Sequence, residues 1–184
     1  MTVWAALLRG VNVGGHHRLP MAELRPVLAG LGYEHVATYI QSGNAVFRSE
    51  DQADKIASAI SEAIAARFGF RPQVIVLSAG ALAAALARNP FAAEAEADGT
   101  KVHLLFSDNP LTPATVAGLN AAADPGEGAR LVDGVLYLQT PGGYGRSPLA
   151  QAAARLKAPI TGRNARSVAA IAALARAVPP CGAP

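Results

Sequence analysis

The chain has 184 residues, of which 51% are hydrophobic and 16% charged, and its formal net charge is +3. This composition excludes a disordered protein and leaves room for one large domain or two small ones. No apolar run approaches the roughly 20 residues that a membrane span requires, and the first residues lack the layout of a signal peptide. Cys181 is the only cysteine, which excludes an internal disulfide and a cysteine metal cluster. We therefore expect a cytoplasmic protein with no membrane partner, no metal and no cofactor.

The first part of the chain alternates apolar runs of strand length with helical patterns. An unbroken apolar run at residues 3–8 predicts a strand, and Pro20 stands where the first turn of a helix tolerates proline. Pro26 cannot donate a backbone hydrogen bond, so this helix is expected to start late or to kink. Further strands are predicted at residues 36–40, 45–47 and 73–77, with a hairpin turn between the second and the third.

The best-defined helix of this half follows the third predicted strand. Ser49 and Gln52 have the spacing of a capping box, and apolar residues then recur every four residues until Gly69. These apolar residues are Ile56, Ile60, Ile64 and Phe68. After the fourth strand, Ser78 is expected to cap an alanine-rich helix that ends at Asn89-Pro90. The first half thus has the order strand, helix, strand, strand, helix, strand.

The second half repeats this order. Strands are predicted at residues 102–106, 130–132, 135–138 and 158–161, and helices at residues 113–122 and from Pro148 onward. Asp133-Gly134 between two apolar runs is a strong hairpin signal. A closing helix is expected to place Val168, Ile171, Leu174 and Val178 on one face.

We therefore predict the α+β class, with two ferredoxin-like (split βαβ) units in tandem and an extra C-terminal helix. The predicted boundaries are residues 1–90 for the N-terminal unit, 91–100 for an acidic linker, 101–178 for the C-terminal unit with its closing helix, and 179–184 for a tail. In such a unit the first and second strands are parallel and the third lies between them. The loops that leave strands one and two should therefore share one edge with the start of strand four.

Polar groups collect at this predicted edge of the first unit. Backbone amides, a hydroxyl and guanidinium groups would meet there, a combination suited to an anion. The predicted ligand-binding residues are Arg9, Asn12, Gly14, Gly15, Gln41, Ser42 and Asn44, with His16 and Arg71 nearby. In the plainer interpretation, the glycines only turn a tight corner and residues 42–44 only close a hairpin. The sequence leaves both interpretations open.

The second unit has a glycine-rich loop at residues 140–147 that leads into the helix at Pro148. Free amides, the positive end of the helix dipole and adjacent arginines would form an anion cradle, since arginine forks pair phosphate and carboxylate groups. The predicted ligand-binding residues are Lys101, Tyr144, Arg146, Ser147, Arg163 and Asn164, with Arg166 nearby. The alternative is that Ser147 and Asn164 only cap helices and that the arginines face water. His103, isolated in the sequence, is interpreted as a surface or packing residue.

Four segments resemble hallmarks of the bacterial domain of unknown function 1697 (DUF1697) family. They are Leu-Arg-Gly-Val-Asn-Val-Gly-Gly at residues 8–15, Tyr-Ile-Gln-Ser-Gly-Asn at residues 39–44, Tyr-Gly-Arg-Ser at residues 144–147, and Thr161 with Arg163 and Asn164. The chain departs from the family pattern at Ala165, where a tryptophan is usual, and at His16, where lysine is frequent. The resemblance implies a compact bacterial protein of helices and strands, and it implies no reaction.

Three functions are compatible with these patterns. The first is binding, with or without conversion, of a small phosphorylated or carboxylated metabolite at the two edges, and it leaves open whether the protein is an enzyme. The second is nucleic-acid binding on an open sheet face, for which the strands offer only Trp4 and Phe47 as stacking residues. The third is a structural or protein-interaction role without a ligand. A monomer and a homodimer both fit.

Overall fold

The protein, in a computed structural model that describes residues 1–179, belongs to the mixed α+β class. Cys181 and most of the predicted tail lie outside the described residues. Within them the chain forms eight strands, seven α-helices and a short 3₁₀ helix, Tyr144–Arg146. It divides into two compact units, one made of Met1–Ala83 with the chain from Ala170 onward, the other of Ala84–Ala169. Among the described residues, no helix has both the length and the apolar character needed to cross a membrane.

A four-stranded antiparallel sheet forms the centre of the first unit. Its strands are β1 (Thr2–Arg9), β2 (Glu34–Tyr39), β3 (Asn44–Ser49) and β4 (Gln73–Ser78). They lie in the order β2-β3-β1-β4. The helix α1 (Met21–Gly30) connects β1 to β2, and α2 (Ala53–Phe68) connects β3 to β4. Arg9 pairs with Gln73 and Leu7 with Asn44, so the end of β1, the β2–β3 turn and the start of β4 share one edge, as predicted.

The helix α2 supplies much of the core of this unit. Ile56, Ile60 and Ile64 are fully buried and pack in one cluster with residues of the sheet and of α1. Burying a side chain of this size stabilises the fold by about 2 kcal/mol. Gly69 ends the helix with a φ of +77°, in the left-handed conformation that glycine adopts without steric cost. The predicted stripe and its stop are therefore confirmed.

Two details of the helix starts differ from the predictions. The capping box is wrong: Ser49 is the last residue of β3, its hydroxyl accepts from the amide of Asp51, and Gln52 at the N-cap makes no side-chain cap. A late start of α1 is also wrong, because the helix begins directly after Pro20 and continues through Pro26. Ser78 does cap the alanine-rich helix α3 (Ala79–Ala87), since its hydroxyl accepts from the amide of Ala81.

The second unit contains a sheet of the same order. Its strands are β5 (Val102–Ser107), β6 (Gly128–Val132), β7 (Val135–Gln139) and β8 (Ile160–Asn164), arranged as β6-β7-β5-β8 with antiparallel neighbours. The helices are α4 (Ala92–Ala97), within the predicted linker, α5 (Pro113–Ala121) and α6 (Pro148–Ala154). Leu105, Leu138 and Leu149 belong to its buried core. Asp133 and Gly134 have φ values of +48° and +80°, which confirms the predicted hairpin turn.

The last strand and the last helix of the described residues are shifted from their predicted positions. Strand β8 extends to Asn164 because Gly162 and Asn164 pair with β5, although both residue types are rare in strands. Directly after it comes α7 (Ala165–Ala177). Val168 and Ile171 are buried on this helix as predicted, whereas Leu174 is only partly buried and Val178 lies one residue beyond the end of the helix.

Candidate functional site

The two loops at the edge of the first unit are joined through Asn12. Its side-chain amide donates to the carbonyl oxygen of Gln41 at 2.7 Å and to that of Leu19 at 2.8 Å. Its side-chain oxygen accepts from the backbone amide of Leu19, also at 2.8 Å. Asn12 has a φ of +56°, a conformation that asparagine tolerates better than most residues. The predicted meeting of the two loops is therefore present, and the carboxamide of Asn12 holds them together.

Ser42 and Asn44 also contribute to the internal structure of the turn. Asn44 is fully buried, and its side-chain amide donates to the carbonyl oxygen of Tyr39 and to the hydroxyl of Ser42. The amide of Leu8 donates to the carbonyl oxygen of Gly43, so the turn lies against β1. A Cβ atom on Gly43 would come within 2.5 Å of Val11, and only glycine fits there. These contacts directly support the plainer interpretation, in which residues 42–44 close a hairpin.

The remaining predicted residues of this edge are spread along its rim. Arg9 donates to the side-chain oxygen of Gln73 at 3.4 Å. Gly14 and Gly15, with φ values of +60° and +80°, form the two-residue turn of a small exposed loop. Arg71 makes an ion pair with Glu62. Arg9 and Arg71 are thus each engaged by a polar neighbour of their own.

In the second unit, the start of α6 differs from the predicted anion cradle. The hydroxyl of Ser147 accepts from the amide of Ala150 at 2.9 Å, and the carboxylate of Glu127 accepts from the amide of Leu149 at 3.2 Å. The first turn of the helix is therefore satisfied by side chains of the protein itself. The prediction of free amides at this position is wrong, because two of these amides already donate to Ser147 and Glu127. Glu127 also supplies the negative charge that the positive end of the helix dipole attracts.

The polar and basic residues predicted beside this helix start have other contacts in the structure. Arg166 pairs with Asp98 at 3.6 Å, and the side-chain oxygen of Asn164 accepts from the amide of Ser167 and caps α7. Arg163 is half-buried, donates to the carbonyl oxygen of Gly162 and has its pKa lowered to about 10 by burial, so it stays charged at neutral pH. Because successive residues of a strand point to opposite faces, the side chain of Arg163 leaves the face of the sheet opposite to Asn164.

A histidine that sequence reasoning set aside lies on the face of Asn164. His103 is directly opposite Asn164 on β5, and its ring packs against that of Tyr144 with the centroids 4.2 Å apart. Its Nδ1 atom is buried and has no hydrogen-bond partner within residues 1–179. Burial lowers the pKa of His103 to about 4, so the ring is neutral at pH 7. The available sequence signal was the alternation of β5, which places His103 on the same face as buried Leu105.

Lys101 extends this group along the glycine-rich loop. Its carbonyl oxygen accepts from both the amide and the hydroxyl of Thr140, which fixes the start of the loop. Its ammonium lies 3.6 Å from the position that a Cβ on Gly143 would take, and Gly143 immediately precedes Tyr144 in the chain. We call Lys101, His103 and Tyr144 the edge cluster. It combines a cation, a neutral imidazole and a partly exposed phenol.

The predicted residue Arg146 lies in a different cleft, on the same loop. This cleft of about 300 Å³ is lined by Gly142, Gly143, Arg146 and the carboxylates of Asp124 and Glu127, among others. Arg146 is exposed and makes no ion pair or hydrogen bond through its side chain in the described part of the chain. The two carboxylates disfavour an anion in this cleft. In residues 1–179, no three His, Cys, Asp or Glu side chains are grouped so as to hold a metal ion.

Comparisons with known proteins name no activity. A family model described as "Protein of unknown function (DUF1697)" matches residues 1–137. A solved structure described as that of the conserved bacterial protein SP0830 from Streptococcus pneumoniae is similar, with a TM-score of 0.74 and 27% sequence identity. The match covers 95% of this chain and 98% of that one. A search of curated proteins gave no match.

Proposed function

The chain belongs to the DUF1697 family of proteins of unknown function, and from that premise we propose that its second unit binds a small phosphorylated or carboxylated metabolite at the edge cluster. The proposal rests on the environment of the Nδ1 atom of His103. This atom is buried beside Tyr144 and has no hydrogen-bond partner among the described residues. A buried polar nitrogen that forms no hydrogen bond costs about 1–3 kcal/mol, and a ligand hydroxyl that reaches it by displacing the Tyr144 ring would remove that cost.

Each member of the edge cluster has a distinct part in this proposal. The ammonium of Lys101 provides a compact positive charge for a phosphate or carboxylate group. The neutral ring of His103 exchanges a hydrogen bond with a ligand hydroxyl, because at pH 7 it has one donor nitrogen and one acceptor nitrogen. Tyr144 contributes an aromatic ring beside His103. The ligand class is therefore a hydroxylated anion, and the proposal concerns binding, not a reaction.

The order of the strands in the sheet also supports a site at this edge. We propose that each unit is ferredoxin-like, in tandem, because β1 to β4 and β5 to β8 both have the sheet order expected for a split βαβ unit. In that arrangement the start of β5 and the end of β8 lie at one edge, where Lys101, His103 and Asn164 are found. The proposed site thus follows from the strand order as well as from the side chains.

A nucleic-acid function has less support from the side chains. Phe47 is fully buried and stacks on Tyr33 with the ring centroids 4.6 Å apart, so it offers no free face to a base. Trp4 packs against the core of the first unit. Single-strand recognition on a sheet of this kind relies on exposed aromatic residues.

The proposal is tested by thermal unfolding with a panel of phosphorylated and carboxylated metabolites. A member of the panel at about a hundred times its dissociation constant should stabilise the protein by roughly 2.7 kcal/mol. Lys101→Gln should lower the affinity about tenfold, since it removes the charge that meets the anion. Lys157→Gln, which removes an exposed lysine elsewhere in the same unit, should leave the affinity unchanged. A flat panel, or equal losses in both variants, would contradict the proposal.

A further inference from the structure

The first unit exposes two large aliphatic side chains on neighbouring loops. Val13 is 66% exposed and Ile40 is 52% exposed. Val13 follows Asn12 and Ile40 precedes Gln41, and the side chain of Asn12 donates to the carbonyl oxygen of Gln41. The loops that carry the two residues are therefore hydrogen-bonded to each other. We call Val13 and Ile40 the tip pair.

The backbone of Ile40 holds its side chain outward at an energetic cost. Ile40 has a φ of +45°, a conformation that is a genuine outlier for a β-branched residue. Asn44 fixes the same turn through its bond to the carbonyl oxygen of Tyr39, and Gly43 accepts from the amide of Leu8. Glycine or asparagine would adopt this conformation with less strain. Ile40 has a strained backbone conformation, yet its exposed side chain adds little to the core. This combination indicates a role for the side chain at the surface.

The surroundings of the tip pair are cationic. No Asp or Glu occurs in residues 1–22 or 36–49. Arg9 and Arg18 are both exposed on the first of the two loops or next to it. The guanidinium of Arg18 makes no ion pair or hydrogen bond with any other residue in the described part of the chain. The ring of His17 stacks on Phe70 and so fixes the loop on the body of the unit.

We infer that the tip pair and its cations dock on an anionic phospholipid surface. Exposed aliphatic residues flanked by basic ones insert into the interface of such a membrane while the cations meet the headgroups. A second copy of the chain fits less well, because two cationic surfaces would face each other. Nucleic acid would require aromatic stacking residues, and protein hot spots favour Trp, Tyr and Arg over valine.

Docking through loops needs no membrane-spanning segment. The expectation of no membrane partner was based on the absence of such a segment from the sequence, and it does not address loop tips. The surface is in the first unit and is independent of the edge cluster. Its test therefore gives a result whether or not the proposed metabolite binds.

The experiment is sedimentation of the full chain with vesicles of phosphatidylcholine, with and without phosphatidylglycerol. The wild type should bind only the vesicles that contain phosphatidylglycerol. The double variant Val13→Ser, Ile40→Asn should lower the partition coefficient about tenfold, because both inserted aliphatic groups are lost. Arg18→Gln should lower it about fivefold. Arg155→Gln, which removes an exposed arginine of the second unit, should change it by less than about twofold.

Ile40→Asn also serves as a folding control, because asparagine suits the positive φ and should keep or raise the melting temperature. The inference is overturned if the wild type does not bind vesicles with phosphatidylglycerol, if the double variant binds as well as the wild type, or if Arg155→Gln weakens binding as much as Arg18→Gln. Concentration-dependent dimerisation that the double variant abolishes would also overturn it, in favour of a second copy.

Discussion

The carboxylate of Glu127 accepts a hydrogen bond from the backbone amide of Leu149, in the first turn of α6. The same carboxylate oxygen accepts from the amide of Asp124 at 3.1 Å. A negative side chain at the start of a helix satisfies a free amide and interacts favourably with the helix dipole. The second unit thereby supplies its own anion at the position where the sequence predicts a ligand.

Removing this carboxylate should destabilise the second unit. We expect Glu127→Ala to lower the free energy of unfolding by about 1–2 kcal/mol, because two backbone amides lose their acceptor. Glu127→Gln should cost less, since its side-chain oxygen still accepts. Urea unfolding of the three proteins measures both differences. Equal stability of the alanine variant and the wild type would show that the contact adds nothing.

A second prediction concerns Tyr137, whose hydroxyl donates to the carbonyl oxygen of Ala85 at 2.8 Å. This carbonyl lies near the end of α3, where helix carbonyls lack partners within the helix. Tyr137→Phe should therefore cost about 1–2 kcal/mol at neutral pH. Chemical denaturation at pH 7 measures this loss, and an unchanged midpoint would count against the bond.

Tyr137 should also make the stability sensitive to alkaline pH. Burial raises the pKa of Tyr137 from 10.0 to about 12. Between these values the unfolded chain has released the phenolic proton while the folded chain keeps it, so stability falls as the pH rises from about 10 to 12. Tyr137→Phe should lose less stability over this range than the wild type. Parallel slopes for the two proteins would contradict the shift.

His103 should produce the opposite dependence at acid pH. Its folded pKa of about 4 lies below the ordinary value of 6.5, so the unfolded chain binds the proton first. Stability is therefore fully present above pH 6.5 and decreases as the pH falls toward 4. His103→Phe, which keeps an aromatic ring against Tyr144, should flatten this part of the curve. Thermal unfolding across the range compares the two slopes, and a steep slope in both proteins would point to other groups.

Asn12 offers a test of the joined loops. Asn12→Ala removes three hydrogen bonds and places alanine at a φ of +56°, and we expect a loss of about 2–3 kcal/mol. Asn12→Gly loses the same bonds but accepts the backbone conformation, so it should cost about 1 kcal/mol less. If the two variants are equally stable, backbone strain at residue 12 is negligible.

The elements that the sequence predicted best depend on local patterns. The spacing of Ile56, Ile60 and Ile64 defines α2, and Asp133-Gly134 defines a hairpin, because each signal lies within a few residues. The alanines and carboxylates of the predicted linker lack an apolar stripe, which concealed α4. The contact of Glu127 with Leu149 joins residues 22 positions apart, and no local pattern indicates it.

The candidate site was predicted only in part, for the same reason. Lys101 and Tyr144 were expected at the second edge, whereas His103 was set aside because its isolation in the sequence conceals its packing against Tyr144. Ser147 and Asn164 have the hydrogen bonds of helix caps, which was the plainer alternative. The faces of β5 and β8 decide which side chains meet, and they follow from strand register, which the sequence does not reveal.

The most direct test of the edge cluster is NMR observation of the ring nitrogens of His103 during titration with the phosphorylated and carboxylated metabolites. His103→Phe assigns the signals. We predict that one class of hydroxylated anion shifts the Nδ1 resonance in a saturable manner and that Lys101→Gln weakens this response about tenfold. A resonance that stays unchanged across the whole panel would contradict a metabolite site at Lys101, His103 and Tyr144.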